Sequence, residues 1–338
     1  MSVGLNKSPD LDGLLKETSR SFYLTLRVLP SRIRPQIGMA YLLARTTDTI
    51  ADTEIIPVAE RLNALQTLRE RILGAHDHPL DFGALAQKQG APAERMLLER
   101  CNEAIKALQT MHPLDQQRIH EVLGIITSGQ ELDLRRFAGA SEKNILALPS
   151  AAELDDYTYR VAGCVGEFWT HMCRAHLFRR AKLDMEALLA KAVRFGKGLQ
   201  LVNILRDVPA DLRQGRCYIP EDELKAAGLV PADLLEPNNE ARFKPVYDKY
   251  LAMAEGHLAA GWEYTNTLPA RCVRVRLACA WPILIGMQTL AKLKKSKVLD
   301  PAQRIKISRP EVKKVILRSV LCYPLPVAWR RLFAMAGS

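Results

Sequence analysis

The sequence predicts an all-α protein, and three observations support this fold class. Apolar residues recur at the 3.6-residue period of an amphipathic helix along most of the chain, whereas the alternating Val, Ile and Thr runs typical of strands are scarce. Prolines stand between the periodic segments, where helices begin or end. Of the 338 residues, 48% are hydrophobic, which is enough for a large core and excludes a disordered chain.

Helix-breaking residues, mostly prolines, separate the predicted helices along the chain. The helices are expected at residues 10–27, 36–52, 58–74, 93–111, 114–137, 151–178, 184–208, 242–267, 270–294 and 309–321. Eight prolines fall between them: Pro30, Pro35, Pro57, Pro113, Pro149, Pro220, Pro269 and Pro301. Ser150 and Glu153 have the spacing of a capping box at the start of the sixth helix. Residues 212–241 are rich in Pro, Gly and Asn and are predicted to form one long irregular connection.

No linker or charge block divides the chain. Gly/Ser/Pro-rich tracts, internal repeats and low-complexity segments are absent from the sequence. We therefore expect residues 1–338 to form a single domain that ends in a basic tail at about 295–338.

The excess of basic residues is confined to the C-terminal segment. The chain has 48 Lys and Arg against 37 Asp and Glu, a net charge of +11. Residues 271–338 carry +13 and the remainder −2. Such a surface either aids solubility or binds an anionic membrane, a phosphorylated ligand or nucleic acid. Without a zinc spacing, an RNP-like motif or a basic recognition helix, no nucleic acid is expected as a partner. No obligate protein partner is inferred.

Cysteine usage and hydropathy predict a cytoplasmic protein. The seven cysteines are scattered and form no CxxC pair, which is typical of reduced thiols. The longest uncharged stretch, Leu277 to Ala291, includes Pro282 and is shorter than the roughly 20 residues of a spanning helix. Residues 312–336 mix apolar and basic side chains. We therefore expect peripheral contact with anionic lipid on the inner membrane face.

A first acidic stripe lies in the segment 37–52. This segment is apolar nearly all round, which predicts a buried helix. Four polar residues recur at i, i+4, i+7 and i+11 and share one stripe: Tyr41, Arg45, Asp48 and Asp52. The two carboxylates repel each other unless a cation lies between them, and oxygen ligands favour Mg²⁺ or Mn²⁺. The alternative is an ordinary Arg45–Asp48 helix pair beside a solvated Asp52.

A second acidic stripe lies in another apolar helix, at residues 198–211. Asn203, Asp207 and Asp211 follow each other at i, i+4 and i+8. Two such helices can hold divalent ions for a diphosphate leaving group, and Arg45 and Arg206 can bind phosphate oxygens. Pro209 predicts a kink that places Asp211 beyond a bend. Alternatively, Pro209 ends the helix and Asp211 caps the next segment.

Two glycines mark the helix between these stripes. Gly163 and Gly166 each cost about 1 kcal/mol relative to Ala in a helix, so the close approach of another group is expected there. That group is either a substrate chain or a neighbouring helix. Tyr157 lies a turn or so earlier and either faces the same space or is simply half-buried.

Together, four motifs resemble the squalene/phytoene synthase family in order and spacing, over about residues 14–290. They are Ser19-Arg-Ser-Phe22, Asp48-Thr-Ile-Ala-Asp52, Tyr157-x-Tyr-x-Val-Ala-Gly-x-Val-Gly166 and Asn203-Ile-Leu-Arg-Asp-x-x-x-Asp211. The resemblance implies an isoprenoid-synthase fold, a single large helical domain around a central cavity. It also implies Mg²⁺ that binds the diphosphates of two prenyl donors. The DxxAD form of the first motif favours head-to-head condensation.

The resemblance also implies roles for individual residues. The metal ligands would be Asp48, Asp52, Asn203, Asp207 and Asp211. The diphosphates would be bound by Ser19, Ser21, Tyr41, Arg45 and Arg206, and the other substrate-binding residues would be Phe22, Val161, Gly166 and Asn203. Tyr157 matches the tyrosine beside the departing diphosphate, as proton handler or cation stabiliser. Tyr41 and Arg45 are also expected to take part in catalysis.

The catalytic motifs do not separate the products made within this family. The segment Arg304 to Arg309 resembles the basic segment of squalene synthases where NADPH binds, which assigns Lys306 and Arg309 to NADPH. We therefore expect two farnesyl diphosphates to yield presqualene diphosphate and then, with NADPH, squalene. Dehydrosqualene or phytoene synthesis without the reductive step is the alternative. A non-catalytic helical protein on a membrane surface is a more remote one.

Overall fold

The computed structural model describes residues 11–18, 22–300, 302–303 and 305–337, and at position 22 the backbone alone. Helices account for 74% of the protein, which confirms the all-α class. Among the described residues, the only sheet is a parallel pair of two-residue strands, β1 (Leu146–Ala147) and β2 (Arg216–Cys217). Leu146 pairs with Arg216 in this register.

The described chain divides into two compact units. Unit 1 contains the residues up to Arg136 together with 167–181, and unit 2 contains residues 137–166 and those from Lys182 onwards. The single domain around a central cavity stays a prediction.

Unit 1 is built around one buried helix. Its helices are α1 (Leu11–Thr18), α2 (Phe22–Val28), α3 (Arg34–Ala51), α4 (Val58–Ile72), α5 (Gly83–Gln87), α6 (Pro92–Glu99), α7 (Cys101–Gln109), α8 (Pro113–Arg136) and the C-terminal part of α10 (Cys164–His176). Helix α3 packs against α4, α6, α7 and α8. Most of its residues are buried, as the sequence predicts for segment 37–52.

Unit 2 is built around α11. Its helices are α9 (Ala151–Thr158), a π-helical turn (Tyr159–Gly163), the start of α10, α11 (Met185–Arg213), α12 (Glu221–Ala226), α13 (Glu240–Thr267), α14 (Val273–Lys294), α15 (Arg309–Cys322) and α16 (Pro326–Ala336), with short 3₁₀ turns at Pro231–Leu235 and Pro237–Asn239. Helix α11 packs against the π turn, α13 and α14. No helix in the described ranges is sufficiently long and apolar to cross a membrane.

The predicted helices differ from the observed ones at several points. The predicted helix 93–111 is divided at Arg100 into α6 and α7. Helices α5, α12 and α16 were not predicted, and α12 lies inside the segment expected to be irregular. Ser150 is the N-cap of α9, but its side chain makes no capping hydrogen bond, so the capping box is wrong.

Pro209 lies inside α11. The helix continues through it to Arg213, so the alternative in which Pro209 ends the helix is wrong. Proline lacks the N–H that would bond the carbonyl of Leu205, four residues earlier. The hydroxyl of Tyr247 on α13 donates a hydrogen bond to this carbonyl at 2.9 Å. A neighbouring side chain thus bonds the carbonyl that Pro209 leaves free, and Asp211 lies within α11.

We expect Tyr247→Phe to lower the free energy of unfolding by about 1–3 kcal/mol, because a buried carbonyl loses its donor. Pro209→Ala restores a backbone N–H, so in that background Tyr247→Phe should cost distinctly less. Urea unfolding of wild type, both single variants and the double variant measures this coupling. An equal cost in both backgrounds would show that the Tyr247 hydroxyl does not compensate for Pro209.

Candidate active site

The first acidic stripe is the open side of α3. The side chains of Tyr41, Arg45 and Asp48 are half-exposed, whereas most other positions from Ile37 to Ala51 are buried. Asp52 is the C-cap of α3 and is exposed. A helix that buries its other sides therefore presents one polar stripe.

Arg45 and Asp48 belong to a chain of polar contacts within unit 1. Nη2 of Arg45 is 2.5 Å from Oε1 of Glu94 on α6. Nη1 of Arg45 is 3.8 Å from Oδ2 of Asp48, and the other oxygen of Asp48, Oδ1, accepts a hydrogen bond from Nε2 of Gln130 on α8. Through Arg45 and Asp48, these polar contacts connect α3 with α6 and α8.

The surroundings of Asp48 disfavour its charge. Burial and then the negative charge of Asp52 raise the pKa of Asp48 to about 6, although Arg45 and Gln130 act in the opposite direction. The side chain of Asp48 nevertheless keeps 45% of its surface exposed. A carboxylate that is repelled by its neighbour and open to solvent is suited to bind a cation.

The alternative interpretation of this stripe, an ordinary Arg45–Asp48 helix pair beside a solvated Asp52, describes part of what is observed. Arg45 and Asp48 do form a helix pair, and Asp52 is exposed. Their separation of 3.8 Å is long, however, and the short contact of Arg45 is with Glu94. The Arg45–Asp48 contact therefore uses only part of the hydrogen-bonding capacity of the guanidinium and of the carboxylate.

The second stripe lies on α11. Asn203 is exposed, while Asp207 and Asp211 are half-buried. Arg206 holds Asp207 through two hydrogen bonds, Nε to Oδ1 at 2.8 Å and Nη2 to Oδ2 at 2.5 Å. The Asp207 carboxylate raises the pKa of Arg206 through these bonds. The guanidinium would therefore neutralise either Asp207 or an added phosphate.

The two stripes suit a metal that takes few protein ligands. Across the described ranges, no three His, Cys, Asp or Glu side chains are gathered so that they could hold a metal ion. Each stripe instead offers two carboxylates. Mg²⁺ is usually held by one or two carboxylates, with water and phosphate oxygens completing its coordination. The donor set of each stripe therefore fits Mg²⁺ with a phosphorylated substrate.

Tyr157 lies in an aromatic cluster of unit 2. Its ring stacks on that of Tyr218 with centroids 4.9 Å apart, and Phe137 meets Tyr218 edge-on at 5.3 Å. Tyr157 and Tyr218 are both buried. Val161 is half-buried on the π turn that follows α9. The cluster provides π faces in an apolar setting, which is the environment that a cation-stabilising tyrosine requires.

The helix glycines lie where two helices approach closely. A Cβ at Gly166 would collide with the backbone carbonyl of Ala192 on α11, and a Cβ at Gly196 would collide with the carbonyl of Ala162. Each of the two facing segments thus needs a glycine at this contact, Gly166 on α10 and Gly196 on α11. This contact favours helix packing over a substrate chain as the reason for Gly166.

Several predicted site residues lie away from these stripes or outside the described residues. Ser19 and Ser21 are outside the described residues, as are the side chain of Phe22 and Arg304. Lys306 and Arg309 are exposed. Near them, Glu311 caps α15 by accepting from the Ser308 backbone, and Lys292 and Ser308 lower the pKa of Glu311 to about 2.

Two residues that contact the first acidic stripe, Glu94 and Gln130, were not predicted from the sequence. Glu94 and Gln130 lie 49 and 82 residues from their partners Arg45 and Asp48. Spacing within a helix cannot indicate such contacts, because they depend on how α6 and α8 pack on α3.

Comparison with known proteins identifies the family. The profile described as Squalene/phytoene synthase matches residues 15–311, and the chain belongs to this family. A presqualene diphosphate synthase of Zymomonas mobilis subsp. mobilis is 30% identical over 74% of this chain and 73% of its own length. A bifunctional lycopene cyclase/phytoene synthase of Blakeslea trispora is 27% identical over 91% of this chain and 48% of its own length. The chain thus spans about half the length of that relative.

Solved structures show the fold. The complex of TcSQS with the ligand E5700 matches with a TM-score of 0.79 and 23% identity, over 97% of this chain and 90% of that chain. The isoprenoid-synthase helical fold is thereby confirmed. The squalene/phytoene synthase family consists of prenyltransferase-type enzymes that use prenyl diphosphates.

We expect Gly166→Ala to destabilise the protein by about 1–3 kcal/mol, because the added methyl group must displace the backbone of α11. Gly124→Ala in α8 is the matched control, since the nearest atom to its Cβ would be 4.0 Å away. That variant should gain up to about 1 kcal/mol from helix propensity. Thermal and urea unfolding compare the two. If Gly166→Ala were stabilised like Gly124→Ala but lost activity, the substrate-chain explanation would be the correct one.

Proposed function

We propose that this protein joins two farnesyl diphosphates head to head to presqualene diphosphate and reduces this intermediate with NADPH to squalene, in a Mg²⁺-dependent reaction. Family membership supports the prenyl-transfer chemistry, and the 30% identity to a presqualene diphosphate synthase supports this condensation. The observation on which the proposal chiefly depends is the pairing of carboxylates with a guanidinium on α3 and again on α11.

Each stripe combines groups for diphosphate departure. Asp48 and Asp52 on α3 and Asp207 and Asp211 on α11, with Asn203, would hold the metal ions. When bound, Mg²⁺ neutralises the charge that develops on the departing diphosphate. Arg45 and Arg206 already lie next to carboxylates, so each can exchange part of that contact for a phosphate oxygen. Tyr157 faces aromatic rings that would stabilise an allylic cation and keep water away.

The reductive step depends on a different part of unit 2. Arg309 is the first residue of α15 and Lys306 lies three residues before it; both are exposed cations that would bind a dinucleotide phosphate. Relatives described as phytoene synthases also match most of the chain, so a condensation without reduction is the competing function.

We expect farnesyl diphosphate with Mg²⁺ to yield presqualene diphosphate, and squalene only when NADPH is added. EDTA should abolish diphosphate release, and Asp48→Asn or Asp207→Asn should reduce it by about 100-fold or more, with unchanged circular dichroism. Product analysis and a diphosphate assay measure these effects. Asp248→Asn, which removes an exposed carboxylate paired with Lys244 on α13, is the control and should retain activity.

The same assay separates the alternatives. An identical product with and without NADPH would contradict the reductive step and favour dehydrosqualene or phytoene synthesis. Normal turnover by a folded Asp48→Asn protein would contradict the metal assignment.

We further propose that the C-terminal helices rest on an anionic membrane surface. Four apolar side chains follow one another along the end of α15 and the start of α16, and each is about 60% exposed: Leu317, Leu321, Leu325 and Val327. Exposed cations flank them on both helices: Lys313, Lys314, Arg318, Arg330 and Arg331. Because residues 312–338 contain no acidic side chain, this surface suits anionic headgroups.

The C-terminal helices are anchored to α13 and α14 within unit 2. Trp281 on α14 donates to Ser319 at 2.8 Å, and Trp329 donates to Asn266 and stacks on Trp262. Deleting the tail would therefore remove core packing, and substitutions on its exposed side are the better test.

We expect the double variant Leu317→Gln, Leu321→Gln to bind phosphatidylglycerol-containing vesicles about tenfold more weakly or worse, a loss of about 1.4 kcal/mol from reduced apolar burial. Flotation with and without phosphatidylglycerol, and at high salt, measures the binding. Ile55→Gln, Leu114→Gln removes two equally exposed apolar side chains of unit 1 and is the control. Equal binding by wild type and both double variants would contradict the membrane surface.

A further inference from the structure

Gln130 makes a contact with Asp48 that no part of the proposed reaction uses. Its side chain is only 8% exposed on α8, and its Nε2 donates to Oδ1 of Asp48. Its Oε1 is buried and accepts no hydrogen bond in the described part of the chain. The amide therefore serves the carboxylate with its donor while its acceptor is left unsatisfied.

This orientation follows from the charge of Asp48. Turning the amide over would place Oε1 against a carboxylate oxygen and lose the hydrogen bond that Nε2 now donates. The stable arrangement is thus the one in which Nε2 donates to Asp48, even though it leaves the buried Oε1 without a hydrogen bond. Gln130 is consequently fixed by Asp48, and Asp48 by Gln130.

Gln130 lies on a closely packed helix. Helices α3 and α8 pack against each other, and α8 buries Ile126, Thr127 and Gly129 in the turn before Gln130. Two other charged groups act on Asp48: Asp52 repels it, and Arg45 attracts it through Nη1, which is 3.8 Å from Oδ2 of Asp48. Gln130 holds the other oxygen, Oδ1, from a buried amide on a packed helix, and this hydrogen bond sets the direction of the carboxylate.

We propose that Gln130 is a positioning residue that holds the Asp48 carboxylate in the orientation in which it receives a divalent cation. This inference rests on the proposed function, because it takes Asp48 as a metal ligand. Gln130 does not touch the cation or the substrate in this role. It lowers the cost of metal binding by ordering Asp48 beforehand.

The chain offers a matched control at a second amide–carboxylate pair. Nε2 of Gln36 on α3 donates to Oδ2 of Asp115 at 3.1 Å, and Oε1 of Gln36 is also buried without a partner among the described residues. Asp115 additionally contacts Arg118 and His176 and is not assigned to a metal. Gln36→Leu removes the same type of bond from the same unit.

The test measures Mn²⁺ binding to the protein alone, by electron paramagnetic resonance, and the Mg²⁺ dependence of diphosphate release. We expect Gln130→Leu to weaken Mn²⁺ binding by about 10–100-fold and to raise the half-saturating Mg²⁺ concentration similarly. Turnover at saturating Mg²⁺ should stay within about threefold of wild type, because only metal binding is affected. Gln36→Leu should bind Mn²⁺ like wild type. Gln130→Met, which keeps the side-chain length without a donor, repeats the test if Gln130→Leu does not fold.

The outcomes separate this inference from the proposed function. Wild-type Mn²⁺ affinity in folded Gln130→Leu or Gln130→Met overturns the positioning role and leaves the metal assignment intact. Equal loss in Gln36→Leu shows a general effect of the substitution and also overturns it. If the wild type binds no Mn²⁺ and needs no Mg²⁺, the metal assignment in the proposed function fails, and the role of Gln130 fails with it.

Discussion

Carboxylates placed on a buried helix require partners for their charge, and this constraint shapes the surroundings of α3. The hydroxyls of Thr46, Thr49 and Thr53 bond to carbonyls of the same helix, so these polar groups are satisfied locally although they are buried. Asp48, in contrast, takes partners from its own helix and from a neighbouring one. It depends on Arg45 beside it and on Gln130 from α8, and Glu94 from α6 shares the guanidinium. Even so, the environment raises the pKa of Asp48, which leaves a demand for positive charge.

Helix α11 meets a different constraint, the close approach of backbones. Gly166 and Gly196 allow the α9–α10 segment to approach it at a distance that any side chain would prevent. The π turn Tyr159–Gly163 lies within this contact, and such a turn changes which side chains face the neighbour. Farther along, Pro209 removes a helix bond that Tyr247 replaces. The second acidic stripe therefore depends on packing within unit 2 for its shape.

Sequence periodicity predicted the fold class, most helices and both acidic stripes, because these features repeat within one helix. The long-range partners were not predictable, since Glu94, Gln130 and Tyr247 reach their partners only after helices pack. Pro209 shows the limit clearly. Its local propensity correctly indicates a lost hydrogen bond, but the donor that bonds the free carbonyl of Leu205 is a tyrosine 38 residues later in the sequence. The roles of Ser19, Ser21, Lys306 and Arg309 came only from the family resemblance and stay predictions.

In the proposed function, charged groups would serve diphosphate departure, whereas the shape of the apolar surroundings would determine the product. In the proposed reaction, diphosphate departure would use carboxylates and guanidinium groups together with Mg²⁺, and both stripes offer carboxylates and a guanidinium from regular helices. Relatives described as presqualene diphosphate synthase and as phytoene synthase both match this chain over most of its length. Carboxylates and guanidinium groups that would serve diphosphate departure in either reaction therefore do not determine which product forms. That choice must depend on apolar side chains that bound the prenyl chains and on access of a hydride donor to the intermediate, features that a charge stripe does not encode.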